Sequence, residues 1–149
     1  MAQILIVDDN RLNIELLRQL LDEHFDLITA ENGEVGVRAA RTHTPDLIIM
    51  DLMMPVMDGW VAIAAIRDEW ATCRIPIIAF SAIDDPKGVQ RALDAGADVH
   101  LPKPVDDDRL FELIEQLLGA QVLERQPSGV RVKRDSLQNL LAKTKKLGR

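Results

Sequence analysis

Polar side chains of a few chemical types end four of the apolar runs in this sequence. They are three acids, one hydroxyl and one amine: Asp8, Asp9, Asp51, Ser81 and Lys103. Three neighbouring carboxylates repel one another, by roughly 4 kcal/mol for a pair 4 Å apart at an effective dielectric constant of about 20. A divalent cation relieves that cost, and a site with few protein oxygens suits Mg²⁺, which keeps several waters. The acids therefore predict a magnesium site.

Asp51 is the acid that we expect to react. It follows the run LIIM, and such an uninterrupted apolar run is typical of a strand buried on both faces of a parallel sheet. Open α/β sheets place their ligand sites at the carboxyl ends of strands. A carboxylate in that position can attack phosphorus and form an acyl phosphate. Lys103 would then offer its charge to one phosphoryl oxygen, and the Ser81 hydroxyl would donate to another.

The apolar pattern predicts five strands that alternate with five helices within about 120 residues. The predicted strands cover residues 3–7, 25–30, 45–51, 75–80 and 97–101. The first helix follows Asn10 and has Leu12 and Leu16 on its apolar stripe, and the second follows a turn at Asn32-Gly33. The third helix extends to Trp70 and the fourth ends at Gly96. The fifth helix begins near residues 106–108. This alternation predicts an α/β fold whose parallel sheet carries helices on both faces. The carboxyl ends of the strands, and the polar residues that follow them, then meet at one edge.

Length and composition are those of a globular protein with one domain and some additional residues. The chain has 149 residues, of which 47% are hydrophobic and 28% charged. It has no apolar run long enough to span a membrane and no basic region before an apolar leader, so we expect it in the cytoplasm. Its single cysteine, Cys73, excludes an intramolecular disulfide and a cysteine-ligated zinc cluster.

Charge divides the chain into an acidic body and a basic tail. Residues 1–120 hold 10 Lys and Arg against 22 Asp and Glu, whereas residues 121–149 hold 8 against 2. We predict a domain over residues 1–120, a linker at residues 126–129 and a short basic amphipathic helix from about residue 135. A tail of this size is too short for a winged-helix DNA-binding domain, and we do not expect nucleic acid as a partner.

The sequence resembles the receiver domain of two-component response regulators over residues 2–119. Four matching motifs occur in the family's order: Asp8-Asp9 after an apolar strand, Asp51 with Pro55 and Gly59 beyond it, Ser81-Ala82, and Lys103-Pro104. The resemblance implies a doubly wound, flavodoxin-like sheet with strand order 2-1-3-4-5. It also implies phosphorylation of Asp51 by a sensor histidine kinase or a phosphotransfer protein, and a cis peptide bond before Pro104.

The resemblance further implies the ligands of the metal ion. Asp9, Asp51 and the backbone carbonyl of Met53 would bind Mg²⁺, with Asp8 acting mainly through water. Phosphorylation would change the surface of helix 4, strand 5 and helix 5, which a protein partner or a second copy of the chain would read. The tail is a second candidate for dimerisation.

Two positions depart from the common pattern of the family. His100 stands where receivers usually have Tyr or Phe as a rotamer switch, and we expect a weaker or pH-sensitive switch there. Met53 and Ile83 occupy the positions that tune hydrolysis by admitting or excluding water. Both are apolar, so we expect slow loss of the phosphoryl group.

The sequence indicates a signalling switch rather than an enzyme, with two alternatives. A nucleotide- or flavin-binding enzyme of the same topology would need a glycine-rich loop after the first strand, where this chain has Asp8-Asp9-Asn10. A receiver-like adaptor that is never phosphorylated stays open, because it needs no residue that the chain lacks.

Overall fold

The computed structural model describes the backbone of residues 1–124 and the side chains of residues 1–119. Strands and helices alternate through this part of the chain, as predicted. The strands are β1 (Gln3–Val7), β2 (Asp26–Ala30), β3 (Leu47–Met50), β4 (Ile77–Ser81) and β5 (Val99–Pro102). The helices are α1 (Arg11–Leu21), α2 (Gly33–His43), α3 (Gly59–Arg67), α4 (Pro86–Ala95) and α5 (Asp107–Glu124).

All described strands belong to one parallel sheet with the order β2-β1-β3-β4-β5. This order confirms the doubly wound α/β fold. The sheet and helices α1 to α4 lie in a compact unit, Met1–Asp106, and α5 begins a second unit. The chain leaves β1 toward one edge to form β2 and then crosses to the other side of β1 to form β3. The strand order therefore reverses between β1 and β3, where such folds open a crevice at the carboxyl ends of their strands.

The central strands are buried on both faces. Leu5, Ile48 and Ile77 point to one face and pack in a cluster with residues of α2, α3 and α4. Their neighbours Ile4 and Ile49 point to the opposite face, because side chains alternate along a strand, and they are equally buried. The apolar runs in the sequence follow from this burial on two sides.

The helices of the first unit start at polar caps. Asn10, Asn32, Asp58 and Asp85 each accept a hydrogen bond from a backbone N–H group in the first turn of the following helix. Asn32-Gly33 is thus a cap and a first helical residue rather than the predicted turn. Gly96 ends α4 with a φ of 126°, as the sequence predicted from its glycine.

Several predicted boundaries and faces are wrong. Strands β3, β4 and β5 each begin two residues later than predicted, because the residues before them form connecting loops. Helix α3 ends at Arg67, so Trp70 lies in the loop after it and is 90% exposed. Leu12 and Leu16 of α1 are also exposed, since the buried face of that helix is formed by Ile14, Leu17 and Leu21.

The last described helix runs across the predicted end of the domain. Helix α5 continues through residue 120 to Glu124, and the expected linker and basic helix lie outside the described residues. The division at residue 120 stays a prediction. None of the described helices is both long and apolar enough to cross a membrane.

Arg67 joins three segments at the edge of the sheet opposite the carboxyl ends of the strands. Its guanidinium donates to the carbonyl oxygens of Ile75 (2.6 Å) and Gly96 (2.9 Å), and it pairs with Asp98 at 3.0 Å. The side chain of Asp98 is buried and also accepts from the N–H of Ile77 at 2.8 Å. One partly buried cation thus holds the ends of α3 and α4 to the start of β4.

Replacing Arg67 with Met should lower the free energy of unfolding by about 3–5 kcal/mol, because the buried Asp98 carboxylate would lose its cation. Urea denaturation measures the change. Arg18→Met is the matched control, since Arg18 pairs with Glu15 on an exposed face at 3.4 Å and such a pair contributes at most about 1 kcal/mol. Equal losses in the two variants would contradict a structural role for the buried pair.

Candidate phosphorylation and metal site

The backbone just beyond β1 and β3 brings two of the predicted acids side by side. The N–H of Asp8 donates to Ala30 at 3.0 Å, and the N–H of Asp51 donates to Val7 at 2.9 Å, so each residue continues the pairing of its strand. Both side chains are almost fully buried, with relative exposures of 1% for Asp8 and 5% for Asp51. They lie at the point where the strand order reverses.

Lys103 reaches these acids from β5, although it is 95 residues from Asp8 in sequence. Its Nζ lies 2.9 Å from Oδ2 of Asp8 and 3.5 Å from Oδ1 of Asp51. The ammonium also lies 5.3 Å from the centre of the Phe80 ring. The Lys103–Pro104 peptide bond is cis, as the resemblance implied. The structure thus brings together the amine and two of the acids that the sequence singled out.

Asp9 completes a group of three carboxylates. Asp8, Asp9 and Asp51 each offer one oxygen, and these oxygens lie within 4.8 Å of one another. Asp8 already has a partner at each oxygen, since Oδ1 accepts from the N–H of Asn10 at 2.9 Å and Oδ2 from Lys103. Asp9 is exposed, and it contacts neither the N–H of Asn10 nor the ammonium of Lys103. The donor set is all oxygen, with more negative than positive charge, which fits a hard divalent cation such as Mg²⁺.

The surroundings of Asp51 disfavour its charged form. Burial, followed by the nearby charge of Asp8, raises the pKa of Asp51 from its ordinary value of 3.8 to about 6, although Lys103 and the N–H of Leu52 act in the opposite direction. Leu52 donates to Oδ1 of Asp51 at 2.8 Å. Among the described residues, Oδ2 has no hydrogen-bond partner. Asp51 therefore has one oxygen held in place and one oxygen available.

Ser81 lies at the end of the neighbouring strand. It is 1% exposed, and its Oγ accepts a hydrogen bond from the N–H of Ile83 at 3.0 Å. Its carbonyl oxygen accepts from the N–H of Lys103 at 3.0 Å, which fixes the two residues relative to each other. No hydrogen bond joins the Ser81 hydroxyl to the acids among the residues that the structure describes, so its hydrogen is available to another acceptor.

Two glycines hold the loop that follows Asp51. A Cβ atom on Gly59 would overlap the carbonyl oxygen of Asp51, and one on Gly33 would overlap that of Met57. The N–H groups of Gly59 and Gly33 donate to Leu52 at 2.8 Å and to Met57 at 3.1 Å. Gly59 belongs to the predicted motif, whereas the sequence placed Gly33 only in a turn. Gly33 and Met57 are far apart in the sequence, so no sequence pattern indicates that they are in contact.

The remaining predicted positions lie around this group. Met53 is 61% exposed in the loop after β3, and no hydrogen bond reaches its carbonyl oxygen from the described residues. Ile83 is half-buried and packs against the core. His100 is half-buried on the edge strand β5, between the buried Val99 and Leu101. Their locations agree with the predicted roles but do not test them.

The raised pKa of Asp51 predicts how stability depends on pH without metal. The folded state binds this proton more tightly than the unfolded state, so the contribution of Asp51 to stability should fall as the pH rises from about 4 to about 6. Asp51→Asn cannot ionise and should be more stable than wild type by about 2–3 kcal/mol above that range, with the difference vanishing near pH 4. Urea denaturation in EDTA measures both proteins.

Added Mg²⁺ provides the control for this experiment. At pH 7.5 it should stabilise the wild-type protein more than Asp51→Asn, because the ion neutralises the charge that destabilises the apo form. A difference between the two proteins that stays constant from pH 4 to pH 8 would contradict the raised pKa.

Comparison with known proteins gives the family of this site. The model of the response regulator receiver domain matches residues 4–115. The response regulator PleD of Caulobacter vibrioides is 34% identical over 137 residues, which are 88% of this chain but only 30% of PleD. The chemotaxis protein CheY of Halobacterium salinarum is 34% identical, and the alignment covers 79% of this chain and 98% of CheY.

Solved structures give the same result. The receiver domain of a sensor histidine kinase from Pseudomonas aeruginosa PAO1, described with a magnesium ion coordinated in its active site cleft, matches with a TM-score of 0.75 and 30% identity. The match covers 79% of this chain and 98% of that domain. The fold, the acids at its switch point and these similarities agree, and the chain belongs to the family of response regulator receiver domains of two-component signalling.

Proposed function

We propose that this protein is a switch controlled by phosphorylation of Asp51, with a phosphohistidine of a sensor histidine kinase or phosphotransfer protein as the phosphoryl donor. One observation supports this most strongly: the buried carboxylate of Asp51 has an available oxygen and lies close to an ammonium group and to two further carboxylates. A structural aspartate would not need such neighbours. The switch acts by binding a partner and catalyses no reaction on other molecules.

The chemical step is a displacement at phosphorus. Oδ2 of Asp51 attacks, the new P–O bond forms as the P–N bond to the donor imidazole breaks, and the electron pair of that bond goes to the nitrogen, which takes a proton from water. The product is an acyl phosphate with more negative charge than the carboxylate it replaces. Leu52 holds Oδ1 and thereby orients the attacking oxygen.

Asp9, Asp51 and the carbonyl of Met53 would hold Mg²⁺, with Asp8 linked to it through water. This assignment is supported by the contacts of Asp8, whose two oxygens are already used by Asn10 and Lys103. When bound, the ion would supply positive charge to the oxygens of the transferred group.

Lys103 and Ser81 bind the phosphoryl group once it has arrived. The ammonium exchanges its contact with Asp8 for one with a phosphoryl oxygen, a movement that needs only a change of side-chain torsions. The Ser81 hydroxyl donates to another oxygen while it still accepts from Ile83, because a hydroxyl has one hydrogen and two lone pairs. These two contacts report the modification to the loops after β4 and β5.

The output is a change in the surface formed by α4 and β5. Movement of the loop after Ser81 alters the start of α4, and His100 on β5 turns inward as space opens. This is an equilibrium between two states that the charge on Asp51 biases. A protein partner that prefers one state, such as a kinase, an effector or a second copy of the chain, reads the signal.

Incubation with acetyl phosphate and Mg²⁺ tests the proposal. Wild-type protein should gain the mass of one phosphoryl group, and Asp51→Asn should gain none. Asp26→Asn is the matched control, because Asp26 is an exposed acid on the far edge strand β2 and its loss should leave the reaction unchanged. Intact mass spectrometry measures the gain. An unmodified wild-type protein would favour an adaptor that is never phosphorylated.

The apolar side chains of Met53 and Ile83 should make the acyl phosphate long-lived, because neither can bind an attacking water. Met53→Asn should shorten its half-life by about tenfold, since an amide can position that water. Val56→Asn is the control, because Val56 is exposed in the same loop but is not among the positions predicted to tune hydrolysis. Loss of phosphate is followed by intact mass over time. A wild-type half-life of only seconds would contradict slow hydrolysis.

A further inference from the structure

Trp60 links the loop after the phosphorylation site to α4. It is the second residue of α3 and is nearly buried. The residue before it, Gly59, is fixed beneath Asp51, since its N–H donates to Leu52 and its Cα lies against the Asp51 carbonyl. The backbone from which the indole projects is therefore tied to the reactive acid. Nothing in the proposed mechanism so far uses this side chain.

The indole holds α4 at two points. Its Nε1–H donates to the carbonyl oxygen of Gly88 at 3.2 Å. The guanidinium carbon of Arg91 lies 4.4 Å from the ring centre, in a cation–π contact. Gly88 and Arg91 are three residues apart and so share one face of the helix. We call these two contacts of Trp60 with Gly88 and Arg91 the Trp60 latch.

Gly88 is also where the loop from Ser81 meets α4. Its N–H donates to Asp85, the cap of the helix, at 3.0 Å. A Cβ atom at Gly88 would lie 2.5 Å from Cγ2 of Ile83, so the Ile83 side chain lies directly against this part of the helix. The N–H of Ile83 in turn donates to Oγ of Ser81. A short series of contacts therefore leads from the Ser81 hydroxyl to the residue that the indole holds.

The start of α4 is held by Ile83 on one side and by Trp60 on the other. These two contacts would oppose each other if the Ser81 hydroxyl moved toward a phosphoryl group. In the proposed mechanism the N–H of Ile83 would follow the hydroxyl, and the side chain of Ile83 would then shift the first turn of α4. The indole would stay with α3, whose first residue, Gly59, is held against Leu52 and Asp51. The hydrogen bond between Trp60 and Gly88 would then lengthen or break.

We propose that Trp60 is a positioning residue of the switch, and that the Trp60 latch stabilises the arrangement of α4 that belongs to the unphosphorylated protein. This inference rests on the proposed function. Because coupling between two sites is reciprocal, removing the latch must favour binding of a phosphoryl group at Asp51. A residue needed only for packing would have the opposite effect or none, since loosening the fold does not improve a binding site.

Titration with beryllofluoride at saturating Mg²⁺ tests the sign of this coupling. Trp60→Phe keeps an aromatic ring but removes the donor to Gly88, and it should lower the half-saturating beryllofluoride concentration about 3- to 10-fold, as measured by calorimetry. Trp70→Phe is the matched control, because Trp70 is exposed in a loop, and its affinity should equal that of wild type. An unchanged or weakened affinity in a folded Trp60→Phe protein would overturn the proposal.

A second measurement follows the indole itself. In Trp70→Phe, Trp60 is the only tryptophan of the sequence, and its emission should shift to longer wavelength when beryllofluoride binds, because the indole loses its contact with Gly88 and meets more water. Constant emission at saturation would also overturn the latch. Arg91→Gln, which keeps the bond to Gly88, should give a smaller gain in affinity than Trp60→Phe. If the wild-type protein does not bind beryllofluoride at all, the proposed function fails, whereas normal binding without these effects rejects the latch alone.

Discussion

The burial of two adjacent carboxylates, with a third at the surface beside them, is the constraint on which the rest of this structure depends. Asp8 and Asp51 are buried side by side, and within the described residues the ammonium of Lys103 is the one cation that contacts them. Burial, followed by the charge of Asp8, raises the pKa of Asp51 to about 6, so the charged form of this acid is unfavourable without a cation. Such a group of acids fits a divalent metal ion, and in the proposed function that ion offsets the charge of a phosphoryl group.

The fold supplies the rigidity that such an arrangement requires. Asp8 and Asp51 extend neighbouring parallel strands, and their backbone N–H groups are already paired, so neither acid can move away from the other. Gly59 and Gly33 hold the loop below Asp51 by contacts that no larger residue would allow. In the proposed mechanism, the parts that move are the Lys103 side chain, the Ser81 hydroxyl and the loop that leads to α4.

Much of this could be predicted from the sequence, because burial of a strand on both faces leaves a continuous apolar run and the chemistry begins where the run stops. That reasoning located Asp51, Asp8 and Ser81 and gave the sheet. It failed for Trp70 and Leu12, whose apolar side chains are exposed although each fitted a helical stripe. Contacts between distant backbones, such as Gly33 with Met57 or Trp60 with Gly88, leave no periodic pattern and could only be found in the folded structure.

The central claim is that the acids, the hydroxyl and the amine form one site for a metal ion and a phosphoryl group. A crystal structure with Mg²⁺ and beryllofluoride tests this claim most directly. Beryllium should be bonded to the Asp51 carboxylate, with Lys103 and Ser81 each contacting a fluorine atom and the metal bound by Asp9. Beryllofluoride on another carboxylate, or a Lys103 that keeps its contact with Asp8 and makes none with fluorine, would contradict the account.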